Sequence, residues 1–522
     1  MIRTIRIIRT IAIIALFGLL LPGSNPVFGQ TGNDEFSVPK QLTTTIGNLE
    51  FDAGRPTPES VKKLYDYLDL SRAVKAYLDN ISAVSTEMIR REHLRLGGNF
   101  PNHLLITEEM ADARMQWLTA NTETVYALSF FDLKRDGTIV VEIPAGIGPG
   151  LIDDAWMRWV VDMGPIGLDR GRGGIYVILP PDYQGPLDPP VGGMKTRMKL
   201  GGVEKEVIAV KSPTYRNWFG LRGFLVKGKP DAAIKLFKEG VKIYPLKAAT
   251  RPPKMHFTNL SRQQSSTLFS NNSSYFALLN EVVQYEPLSA LDLESRGLLA
   301  AIGIEKGTPY KPDPRWEKIF NEAAKIGDAT GRAIFYAPRD PDSYFYPDRQ
   351  WFTAFIGSSY NWLKDKGRGG RNLDARTLYF HCAIANTPAM AIKIIGKGSQ
   401  YALAARDSQG RYLEGGNRYR LHIPAKAPVT HFWSIVLYDT QSRCLLDNGQ
   451  KFPAKTSARG GLTENPDGSV DLYFGPEAPA GKENNWIKTI PGRGWFAVLR
   501  LYGPLEPWFN KTWKPGDFEL LK

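Results

Sequence analysis

Apolar side chains fill nearly every position between His431 and Asp439: Phe432, Trp433, Ile435, Val436, Leu437 and Tyr438. A strand without polar alternation has both faces covered, so this run predicts a central strand in a sheet-on-sheet core. Earlier in the chain the period is helical. Val61, Leu64, Tyr65 and Leu68, then Val74, Tyr77, Leu78 and Ile81, share a face behind Thr57-Pro58, which reads as an N-cap and first-turn proline. This predicts one long helix or two consecutive ones, ended by Gly97-Gly98-Asn99. Short β-rich runs follow at 125–133, 138–143, 155–163, 175–179 and 206–210, separated by Gly and Pro turns. Helical periodicity returns at 231–239, 274–285, 290–302 and 314–326. Strands resume from about Arg376, the clearest being 401–405, 418–423, 431–438, 469–474 and 495–502.

The order helix, β, helix, β predicts a mainly β fold with helical additions, an α+β multidomain chain with two jelly-roll-like antiparallel β-sandwiches plus helical segments. The expected divisions are a signal peptide at 1–29, an arm and helical region at 30–117, a first sandwich at 118–229, a helical linker at 230–375 and a second sandwich at 376–522. Two stretches echo each other. AWMRWVVDM resembles HFWSIVLYD, and GGIYVILPPDYQG resembles GSVDLYFGPEAPAG, which fits either tandem related sandwiches or chance likeness between aromatic strands.

Composition agrees with sheets joined by turns: 22 Tyr, 25 Phe and 12 Trp stand beside 50 Gly and 37 Pro in 522 residues. Arg3, Arg6 and Arg9 precede an apolar core, IAIIALFGLLL, too short for a comfortable span, and Val27-Phe28-Gly29 offers a cleavage site. Export to the periplasm or beyond is expected, with an uncleaved anchor as the alternative. The net charge of +13 suits an anionic ligand or peripheral association with an anionic envelope surface, and dispersed basic residues without a motif argue against nucleic acid. Cys382 and Cys444, the only two cysteines, are either paired or buried free thiols.

Several long motifs resemble a known pair of families. NTETVYALSFFDL (121–133), GGIYVILPPDYQG (173–185) and SPTYRNWFGLRGFLVKGKPD (212–231) are similar to domain of unknown function 1254. AARDSQGRYLEGGNRYRLHIP (404–424), FWSIVLYD (432–439), GSVDLYFGPEAP (468–479) and GWFAVLRLYGPLEPWFNKTWKPGD (494–517) are similar to domain of unknown function 1214. The resemblance implies a bacterial cell-envelope protein of mostly β architecture, and brings no reaction and no catalytic residues.

The chemistry must therefore be sought in the residues. The six histidines show no metal-ligand spacing, no cofactor motif is present, and neither metal nor cofactor is expected. Asn121 to Tyr126 opens a strand with an amide and a carboxylate side by side, either a turn cap or an acid/base cluster containing Glu123 and Tyr126. If 155–163 is one strand, Trp156, Arg158 and Asp162 share a face, where Trp156 would stack a ligand and Arg158 would clamp an anion. Arg500, alone in an apolar strand, calls for a buried carboxylate or an anionic ligand. The loops DRGRGG (169–174) and KGRGGR (366–371) are either anion cradles or surface turns. The leading expectation is a small polar, aromatic or sugar-like ligand, including a glycan, bound by Asn121, Trp156, Asp162 and Arg500. The alternative is a metal-free hydrolase using Glu123, Tyr126 and Arg158.

Overall fold

The computed structural model describes residues 37–98, 101–261 and 263–522, so the expected signal peptide and the Asn99 helix stop lie outside the described residues. The described residues divide into two compact units, the first ending at Tyr67 and the second running from Leu68 to Lys522. In the first, the strands Gln41–Thr44 and Gly47–Asp52 pair antiparallel, and Arg55–Pro56 adds a third. The helix Pro58–Asp79 starts there as its sequence predicts, with the Thr57 hydroxyl accepting from the Ser60 N–H at 3.3 Å.

The second unit is built from sheets stacked around three large cores, with a smaller fourth core of Val140, Val177, Leu179, Leu200, Val207 and Tyr244. A five-stranded sheet runs in the order Met194–Leu200, Val203–Lys211, Gly174–Leu179, Ile139–Ile143, Lys242–Pro245. It faces a six-stranded sheet ordered His256–Asn259, His103–Ile106, Thr124–Asp132, Arg216–Phe224, Gly150–Asp154, Trp159–Met163. Val141, Tyr176, Ile178 and Val210 of one sheet pack against Val125, Ala127, Phe219 and Ile152 of the other. Pairing is mostly antiparallel, but Gly174–Leu179 with Val203–Lys211 and His103–Ile106 with His256–Asn259 are parallel. Strands of this sandwich come from both sides of the expected 118–229 segment, because edge positions are completed by chain distant in sequence.

The second sandwich pairs the sheet Ser399–Ala404, Trp495–Pro504, Val429–Asp439, Ala454–Thr456 with the sheet Trp486–Lys488, Val470–Gly475, Arg418–Ile423, Glu519–Leu521. Ile435, Leu437, Ala497 and Leu499 meet Leu421, Ile423, Leu472 and Phe474 between them. Val436 and Tyr438, on the other face of the same strand, belong to a different core, so the apolar run ending at Asp439 is covered on both sides. The echo with AWMRWVVDM is not structural equivalence: Trp159–Met163 is an edge strand, whereas Val429–Asp439 is internal.

The third core lies between the sandwiches and takes in the helices. Leu128, Phe130 and Trp218 of the six-stranded sheet, Leu403, Val436, Phe496 and Val498 of the second sandwich, and Ile81, Tyr275, Phe276, Phe320 and Phe335 of the helices form one cluster. Ser274–Tyr285 and Leu293–Ala300 match their sequence patterns. The helix Pro314–Tyr336 starts as expected, with the Asp313 carboxylate accepting from the Trp316 N–H at 2.9 Å, but continues ten residues beyond 326. Gly327 and Gly331, within the added length, are contact points: a Cβ would sit 2.3 Å from Tyr77 at Gly327 and 2.8 Å from His381 at Gly331. Strands were expected from Arg376, but Leu373–Cys382 is a helix capped by Asn372, whose side chain accepts from the Ala375 N–H.

Candidate functional site

The sheet register decides what faces the space between the sandwiches. In the six-stranded sheet Arg222 stands opposite Tyr126, Gly220 opposite Leu128 and Trp218 opposite Phe130. On the far side of Arg216–Phe224, Trp218 pairs with Asp153 and Gly220 with Leu151, and Leu151 pairs with Asp162. Side chains two residues apart share a face. Tyr126, Leu128, Trp218, Arg222, Leu151 and Asp162 are thus presented together. From the second sandwich, Arg500 stands opposite Tyr401 on one side and Ser434 on the other.

Between these faces is a cavity of about 120 Å³. Its walls are mainly apolar, including Trp117, Leu118, Leu128, Trp218, Phe355 and Val498. Gly220 leaves room in the wall where any other residue would project inward. Its polar side chains include Tyr126, Asp162, Arg222, Thr387, Tyr401 and Arg500.

The two arginines converge on one tyrosine. Arg222 donates from Nη1 to the Tyr401 hydroxyl at 3.3 Å, and the Arg500 guanidinium lies 5.2 Å from the Tyr401 ring centre. Burial alone would raise the Tyr401 phenol, but Arg222 and Arg500 outweigh it and hold the group below its ordinary value. Arg500 itself is 4% exposed. Its Nη2 donates to the Thr119 carbonyl at 2.5 Å and to the Tyr438 hydroxyl at 2.8 Å, while Nε has no partner. Among the described residues no carboxylate lies within ion-pair distance of Arg222 or Arg500, so the buried ion pair considered for Arg500 is not formed. The lining carboxylate, Asp162, is raised to about 7 because burial outweighs the hydrogen bond from Thr387 Oγ1 at 2.5 Å. Behind it, Asp153 is fully buried, and burial raises it well above the carboxylate range against the opposing Asn386 N–H at 2.8 Å.

Tyr126, Asp162 and Arg500 are therefore brought to one cavity. Asn121 and Glu123 stand behind it. The Asn121 Oδ1 accepts from the Glu123 and Thr124 N–H groups, each at 2.9 Å, and its amide donates to the Tyr126 hydroxyl at 2.5 Å, which makes it a strand-entry cap that also fixes Tyr126. Glu123 is fully buried, accepts from the Thr122 hydroxyl and lies 3.9 Å from Arg459.

Trp156 and Arg158 are elsewhere, and the shared face with Asp162 does not exist. Residues 155–158 form a turn with Met157 at φ +51°, because the Asp154 carboxylate accepts from the N–H groups of Trp156 and Arg158 at 2.8 and 3.0 Å. The strand alternation starts only at Trp159. Trp156 is buried and donates its indole N–H to Asn80 at 2.9 Å, while Arg158 binds Asp154 and the Ala290 carbonyl. The DRGRGG loop is likewise a structural turn, in which Asp169 accepts from Gly164 N, Gly171 N and the Tyr176 hydroxyl. His431 is exposed, and Asp439 caps the turn of Gln441 and Ser442.

Sequence reasoning missed Arg222, Tyr401 and Thr387. Arg222 carried the same signal as Arg500, a lone arginine in an apolar strand (GLRGF against VLRLY). Among the described residues no group of three or more His, Cys, Asp or Glu could hold a metal ion, and no helix is long and apolar enough to cross a membrane.

These features define an α+β protein of two β-sandwiches with an arginine-lined cavity between them. The chain carries in order the two domains its motifs resemble: residues 101–245 match the family described as protein of unknown function DUF1254, and residues 398–506 match that described as protein of unknown function DUF1214. No curated protein matches it significantly. Similar solved structures include the VPA0106 protein of Vibrio parahaemolyticus, 16% identical with a TM-score of 0.49, covering 87% of this chain and 100% of that one. Another is a putative uncharacterized protein from Burkholderia cenocepacia, 12% identical with a TM-score of 0.39, covering 88% of this chain and 96% of that one.

Proposed function

We propose that this is an exported, envelope-associated binding protein that holds a small, largely apolar or aromatic molecule between its sandwiches. The observation that carries the reading is the cavity itself, walled by Trp117, Leu128, Trp218 and Phe355, with polar groups presented from both sandwiches. Ligand sites have this composition, apolar walls for affinity and a few fixed polar groups for orientation. The aromatic walls favour a planar body over a sugar, which needs more hydrogen-bonding partners than this wall offers. Export rests on the basic, apolar leader sequence. Binding is preferred here to the hydrolase alternative, because Arg158 is tied to Asp154 away from the cavity and Glu123 faces Arg459.

The test is a neutral reporter, N-phenyl-1-naphthylamine, whose fluorescence rises in apolar surroundings. It should bind the wild type saturably. Gly220→Leu should abolish the signal with the fold intact: a Cβ there meets only Leu128, at 3.5 Å, and the leucine then projects into the cavity. An unresponsive wild type, or equal binding by the variant, would refute the reading.

A further inference from the structure

We infer that the ligand of this cavity is an organic acid, its carboxylate received between Arg222 and Arg500 and its apolar body laid against the tryptophan-lined wall. The inference rests on the binding reading above and adds the chemical class of the ligand.

Three observations support it. First, two permanent cations from two different sheets point at one place. Arg222 belongs to the first sandwich and Arg500 to the second, and Tyr401 is in contact with both guanidinium groups. Bringing two like charges together in an apolar enclosure is unfavourable unless a negative charge joins them. Second, among the described residues no carboxylate lies within ion-pair distance of either arginine. Asp162, the acid in the lining, is held near neutrality by its own burial, and Glu123 is engaged with Thr122 and Arg459. Third, hydrogen-bonding capacity is left over where the anion would sit. Arg500 Nε is unpartnered on a side chain that lines the cavity and is more than nine-tenths buried. A buried unsatisfied donor costs about 1–3 kcal/mol, and hydrogen bonds to ionised partners are the strong ones.

The donor set suits a carboxylate better than a phosphate. Arg500 already spends Nη2 on the Thr119 carbonyl and Tyr438, and Arg222 spends part of one edge on Tyr401. What remains matches two oxygens, and a guanidinium fork is shaped for a planar carboxylate.

Calorimetry at pH 6 with 2-naphthoate and its neutral isostere 2-naphthamide tests this on the full chain. Naphthoate should bind at least tenfold tighter, about 1.4 kcal/mol. Arg222→Gln and Arg500→Gln should bring the ratio close to one, and Arg222→Lys should preserve most of it. N-phenyl-1-naphthylamine binding in each variant shows that the cavity is still formed, and Arg222→Gln serves alone if Arg500→Gln does not fold. Equal affinity for acid and amide overturns the organic-acid inference and leaves the cavity reading standing. Failure of all three probes overturns both. Inorganic phosphate displacing naphthoate at equal concentration replaces the organic acid with a bare oxyanion, and refutes the inference as stated.

Discussion

Asp162 should make the protein less stable as the pH rises from about 4 to 7. The residue is 8% exposed, and its carboxyl is raised to about 7 from an ordinary 3.8, mainly by burial, against the Thr387 hydroxyl that favours ionisation. Asp153 on the same sheet face and Tyr176, whose hydroxyl lies 3.3 Å from the Asp162 carbonyl, are the titratable neighbours that feel its charge. Below about pH 4 the carboxyl is protonated in both folded and unfolded chains and costs nothing. Between 4 and 7 the unfolded chain releases the proton while the folded chain keeps it, so stability falls with rising pH, and above 7 the loss levels off. A shift of about three units corresponds to about 4 kcal/mol at 1.36 kcal/mol per unit. Asp162→Asn keeps an acceptor for Thr387 and does not titrate. Relative to wild type it should therefore gain up to about 4 kcal/mol between pH 4 and pH 8. With an unfolding entropy of about 2.1 cal/mol/K per residue, that is a rise of about 4 °C in Tm difference for a unit of this length. Differential scanning calorimetry of both proteins at pH 4.5, 6 and 8 reads it directly. Parallel Tm curves, within 1 °C at every pH, would refute the assignment of a shifted, buried carboxyl to this position.

Two further outcomes follow from side chains away from the arginines. Asn121→Ala removes the acceptor of two buried backbone N–H groups, of Glu123 and Thr124, and should destabilise the protein by about 2–5 kcal/mol, measured as a fall in Tm. Cys382 and Cys444 are free and buried, and burial pushes both thiols up to about 12, so neither should react with iodoacetamide at pH 8 in the native protein and both should react after denaturation.

Much of the architecture was legible because it is local. Strand alternation, the Asp313-Pro314 helix start and the unbroken apolar run ending at Asp439 need only neighbouring residues to be read. The extra length of the helix Pro314–Tyr336 comes with tertiary contacts, Tyr77 packed on Gly327 and His381 on Gly331, that no local pattern shows. The Trp156 and Arg158 assignments failed for a related reason. Alternation was carried through Asp154, whose carboxylate folds the next residues into a turn.

By itself the sequence determined an α+β chain with two β-rich regions, its two domain families and the oddity of a lone arginine in a core strand, since hydrophobic periodicity and the cost of burying a charge are properties of single segments. Only the tertiary structure decided which polar residues meet. Arg222 and Arg500 are 278 positions apart. They meet at Tyr401 because two sheets, each already packed on its other face, turn their remaining faces toward a shared core that they do not completely fill.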